Sequence, residues 1–135
     1  MKKLFFSWLF SLISMLSLSY FWHGVLLNDL RNVNYPKWYF FFLLLLVYSI
    51  ISLLLTMGFK YVNPTKNTVF KGFLGGAALG FFLYLVAFTL GVSFKSGDTK
   101  HVVVDFVWQM VEQGVGAVVI AYVFLAAYNL EKALE

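Results

Sequence analysis

Acidic side chains are scarce in this 135-residue chain, and two of the six sit inside one apolar run, His101 to Gly116, HVVVDFVWQMVEQGVG. A helix turns once in about 3.6 residues, so His101, Asp105, Trp108, Gln109 and Glu112 share one of its faces. Imidazoles and carboxylates on a common face can ligate a metal or a haem iron, relay a proton, or bond to polar groups on a neighbouring helix. The other histidine, His23, lies with Asn28 and Asp29 near the end of the first apolar run.

The ligand reading is the weakest of these. No motif with ligand spacing such as HExxH occurs, and the chain has no cysteine to supply thiolate ligands or a nucleophile. Two histidines near a membrane surface are hydrated or hydrogen-bonded, so no metal and no cofactor are expected. No GxSxG, P-loop or dinucleotide fingerprint is present either, and the expectation is a protein without catalytic residues.

The two carboxylates differ in depth. Asp105 reads as a carboxylate of the first turns, favoured by the helix dipole and wetted at the interface. Glu112 lies about 10 Å farther along the helix and about 6 Å beyond Trp108. An ionised carboxylate at mid-membrane costs roughly 2.5 to 3.5 kcal/mol on insertion scales. The Val, Ile, Phe and Leu residues between Val107 and Tyr128 return roughly 3 to 5 kcal/mol on the same scale. The helix inserts with little margin, so Glu112 is expected to face the bundle interior, protonated or hydrogen-bonded. Two roles stay open for it, interhelical glue and a proton or substrate site.

These residues need a scaffold, and composition says which. The chain is 61% hydrophobic, 21% aromatic and only 12% charged, about half the charge density of a soluble domain. A single all-α domain, a four-helix transmembrane bundle over residues 1–135, is the expected architecture. Its helices are read at about residues 4–27, 38–62, 68–94 and 100–130, each long enough to cross about 30 Å of hydrocarbon. Net charge is +4, but the lysines flank apolar runs and do not gather into a patch, which argues against nucleic acid as a partner. The bilayer is the expected partner, with a homodimer or another membrane protein beside it.

Several local signals support this division. Pro36 stands just ahead of the second run, where a helix start tolerates it. Ser49, Ser52 and Thr56 recur at three and four along that run, to face a neighbour or bond their own backbone. Gly72, Gly76 and Gly80 form a tandem small-residue face in the third run, suited to close helix approach in lipid. Asp98 or Thr99 is placed to cap the fourth helix, and Trp108 and Tyr128, about 30 Å apart along it, read as its two interfacial anchors. The first run has a rival reading as a cleaved signal peptide, with Ser17-Leu18-Ser19 before Tyr20 as cleavage site. Apolar character continuing to Leu27 favours an uncleaved helix.

The run Tyr20-Phe21-Trp22-His23-Gly24-Val25-Leu26-Leu27, the glycine-rich third helix and the Asp105 to Glu112 stretch together resemble a group of small four-helix bacterial inner-membrane proteins known only as a domain of unknown function. In that group the aromatic pair closing the first helix is usually Trp-Tyr, and His23 departs from it. The resemblance implies a bacterial inner membrane and four helices, and no activity. The function expected from all this is a non-catalytic accessory or interaction protein, with a small proton- or ion-coupled transporter or channel, working as a dimer, as the alternative.

Four spans put Lys2, Lys3, Lys60, Lys66, Lys71 and Lys132 on one side and Arg31, Lys37, Lys95 and Lys100 on the other. The bias favours both termini in the cytoplasm. Reporter fusions after Leu134 should therefore read as cytoplasmic and fusions within Ser96 to Thr99 as external; a periplasmic C-terminus would overturn the assignment.

Overall fold

The computed structural model describes residues 2–26, 36–62, 65, 67–89 and 99–134. It is an all-α four-helix bundle, with no strand among the described residues. Helix α1 (Lys2–Ser19) continues as a π-helical segment, Tyr20–Leu26. Helix α2 spans Lys37–Phe59, α3 Thr68–Thr89 and α4 Thr99–Ala133. All four are long and apolar enough to cross a membrane, by length and composition.

Boundaries move slightly from the sequence expectation. Helix α2 ends at Phe59 and not at 62. Lys60, Tyr61 and Val62 instead donate their amides to the carbonyls three residues back, at 3.0 to 3.3 Å. Gly58 weakens the helix here, and Pro64 disfavours helical geometry at the residue before it. Helix α4 runs to Ala133, beyond the expected 130. The first and third loops, with Asp29 and Asp98, lie outside the described residues, as does the expected end of the third helix.

The helices pack antiparallel in the spatial order α2, α1, α4, α3. Trp8 meets Ser49 and Ser52, and Tyr20 meets Phe41, so α1 and α2 run in opposite directions. The same holds for α1 and α4, where Lys3 pairs with Glu131 at 3.5 Å and Trp22 with Trp108 at 4.2 Å. Both ends of the described chain thus lie at one end of the bundle. Helices α2 and α3 barely meet; the Phe59 ring reaches Gly72 at their shared end, and above it a cleft remains.

Different chemistry closes each interface. Between α1 and α2 the Trp8 indole donates to the Ser49 carbonyl at 3.0 Å, Ser52 donates to the Trp8 carbonyl at 2.7 Å, and Tyr48 donates to Ser19 Oγ at 3.0 Å. Between α3 and α4 glycine does the work. A Cβ on Gly80 would lie 2.6 Å from the Gln109 carbonyl oxygen, one on Gly76 would meet the Gln113 carbonyl, and one on Gly72 would lie 3.3 Å from that of Ala117. This is the tandem small-residue face, and it packs inside the bundle. Such contact raises dispersion attraction where hydrocarbon outside removes the hydrophobic drive.

Gly75 has open space where its Cβ would be, while Gly76 faces backbone. Gly76→Ala should therefore lower stability by about 1 to 3 kcal/mol through overpacking, whereas Gly75→Ala should be neutral or slightly stabilising. Thermal melts in detergent would check the pair, and equal behaviour of the two variants would show the α3–α4 face to be misplaced.

Candidate functional site

Helix α4 positions the site because its middle is covered on two sides. Toward α3 it presents the Gln109, Gln113 and Ala117 backbone. Toward α1 it presents Gly116, whose absent side chain leaves room for Met15 and for Ser11 Oγ, 3.1 Å from where a Cβ would sit. One turn outward from Gly116 is Glu112. Glu112 and Gln113 are both 0% exposed, and neither carboxylate oxygen of the first nor either amide atom of the second has a hydrogen-bond partner.

Around the carboxyl group stand Tyr48 and Trp108, the two groups placed to donate to it, although neither reaches the distance and angle of a full hydrogen bond. The Tyr48 hydroxyl is turned to Ser19. The Trp108 indole stacks on Trp22 at 4.2 Å and 10°, and the N–H groups of both indoles are buried without an acceptor. Farther out, Asp105 Oδ1 is buried and unpartnered; inward, Ser11 Oγ and Thr56 Oγ1 are in the same condition.

Nine such atoms on seven side chains occur among the described residues, where a folded protein ordinarily keeps only a few per hundred residues. None of the seven is on α3. Those of Asp105, Trp108, Glu112, Trp22 and Ser11 form a file between α1 and α4, and from the level of Asp105 to that of Ser11, opposite Gly116, it covers about 17 Å. An ionised carboxylate in such surroundings costs several kcal/mol without donors. Proton uptake by Glu112, or water donating to it, removes most of that cost.

The expected seam is thus partly assembled and partly redrawn. Glu112 faces the interior as expected, and Asp105 is half-buried near the outer end of the file. Gln109 is half-buried, with its carbonyl against Gly80 of α3. His23 is half-buried in the π-helical segment and engaged with a neighbour. The side chain of His101 and all of Asp29 lie outside the described residues. Among the described residues no group of three or more His, Asp or Glu could hold a metal ion. Trp108, expected as an interfacial anchor, is half-buried and stacked on Trp22, with its indole N–H buried.

Gln113, Tyr48, Ser11 and Trp22 belong to the site and escape the one-face reading. A signal for Gln113 was present. It sits about 100° around the helix from Glu112, so two adjacent polar side chains at mid-span require a helix covered on more than one side.

The chain matches no family model, no curated protein and no solved structure. What the site does follows from its own chemistry.

If the buried carboxyl is unpartnered, its removal should relieve the fold. Glu112→Met should raise stability by about 1 to 3 kcal/mol, the cost of an unsatisfied buried polar group, and Glu112→Gln should stay near the parent. Chemical denaturation in mixed micelles would measure both, and a strongly destabilised Glu112→Met would mean that bound water or a partner satisfies the carboxyl group.

Proposed function

We propose that the protein is a small proton-coupled membrane protein of the bacterial inner membrane, without catalysis, in which Glu112 takes up and releases the coupled proton. The observation that carries this reading is the burial of Glu112 with both oxygens unpartnered, in file with orphaned polar groups toward both ends. Ionisable groups inside a membrane are costly, and those that face the interior of a bundle mark proton and ion pathways. Hydroxyl, amide and indole groups spaced along such a file can hold water, and water carries protons by exchanging hydrogen bonds. The lysine distribution supports cytoplasmic termini, and the resemblance noted from the sequence supports the bacterial membrane.

A specific observation favours the accessory role as a second reading. Glu112 is fully buried, and the grooves between α2 and α3 and between α1 and α2 are lined by other residues, which suits a sealed carboxyl acting as interhelical glue in a protein that binds other membrane proteins.

Proton flux separates the two. In reconstituted vesicles with an internal pH dye, the parent protein should dissipate an imposed pH gradient or couple it to solute movement. Glu112→Gln should lose this by at least about tenfold, the equivalent of about 1.4 kcal/mol, while melting like the parent. Ser17→Ala, which removes a hydroxyl bonded only to its own helix, should transport normally. Vesicles no leakier than protein-free ones, or full activity in Glu112→Gln, would end the proton reading and leave the accessory one.

A further inference from the structure

The α2–α3 cleft is not lined by Glu112 and carries an inference independent of the proton reading. It is an open groove of about 440 Å³, within the range of ligand sites, and its walls are apolar or glycine apart from Lys71. At the groove's middle Gly58 and Gly75 are exposed, and nothing lies within 4 Å of where their Cβ atoms would be. Val62 and Lys71 stand at one end, Leu54 and Leu79 at the other.

Length and charge select the occupant. From Lys71 to Leu79, as from Val62 to Leu54, is eight residues, or about 12 Å of helix. That is close to the hydrocarbon depth of a single leaflet, about 15 Å, and far short of the about 30 Å that a transmembrane helix occupies. Lys71 lies at the same end of the bundle as the Lys3–Glu131 pair. It is exposed, and among the described residues no acidic group pairs with it. It sits in the first turn of α3, where the helix dipole adds positive potential. A second copy related by a two-fold axis along the membrane normal would bring its own Lys71 to the same depth, like charge against like charge. A phosphate there is complementary.

We propose that the cleft between α2 and α3 binds one anionic phospholipid of the leaflet at the termini's end, with an acyl chain against Gly58 and Gly75 and the phosphate on Lys71. Glycine at both positions keeps the channel open for the chain. The lysine stem runs along its wall and lifts the ammonium to headgroup level.

Native mass spectrometry of the detergent-solubilised full chain, titrated with phosphatidylglycerol or phosphatidylcholine of matched chains, tests this. The parent should retain one phosphatidylglycerol about fivefold more strongly than phosphatidylcholine, the effect of about one lysine near a membrane surface. Lys71→Gln should abolish the preference and keep weak binding of both lipids. Gly75→Leu, placed in open space and expected to fold, should displace the bound lipid whatever its headgroup, and a melt matching the parent's would confirm its fold. Equal retention of the two lipids by the parent, or parent-like retention by both variants, overturns the site. So does a dimer that Gly75→Leu dissociates, since the groove would then hold a second copy.

Discussion

Two polar side chains at the middle of a membrane helix set the terms for everything around them. Glu112 and Gln113 point in directions about 100° apart, so no single neighbour can hide both from lipid. Helix α4 is accordingly the most enclosed of the four, with 44% of its spanning window buried against 22 to 28% for the others. Helices α1 and α3 lie against it on different sides, and α2 reaches it through α1 and through the Phe59–Phe124 contact. The fold is best understood as a sleeve around one helix that would be costly to leave in hydrocarbon alone.

The sleeve is built from two materials. Helix α3 contributes closeness: its glycines bring two backbones together, and it offers none of the orphaned polar atoms to the interior. Helices α1 and α2 contribute polarity. They are clamped to each other by Trp8, Ser52 and Tyr48, and they turn Ser11, Trp22 and Thr56 inward. The glycine contact is rigid because there is nothing on it to rearrange, whereas hydroxyl and indole groups can change partners without moving a helix. An interior that exchanges protons or water is therefore expected on the α1–α2 side of α4, where Ser11, Trp22 and Thr56 add their orphaned groups.

Much of this was legible beforehand, and the boundary of legibility has a physical origin. Span number and length follow from apolar run and bilayer thickness, so four helices were readable from composition and breaks alone. The glycine face was readable because spacing by four has few meanings in lipid other than close approach, and the interior place of Glu112 because the alternative costs too much. Neighbour order was not readable. Around a membrane helix the lipid-facing side is as apolar as the packed side, so the periodicity that reveals a buried face in water is nearly erased. That is why the stack of Trp108 on Trp22 was not readable, and why Tyr48, one aromatic among many in its run, gave no sign of standing beside Glu112.

The order of the helices along the chain has a bearing on biosynthesis. A nascent segment partitions from the translocon into lipid on the strength of its own apolarity, and α4 carries Glu112 and Gln113 at its middle against that tendency. The three segments that wrap it all precede it in the sequence. By the time Glu112 and Gln113 emerge from the ribosome, the surfaces that shelter them are already in the bilayer, so α4 can enter against protein and need not first cross bare lipid.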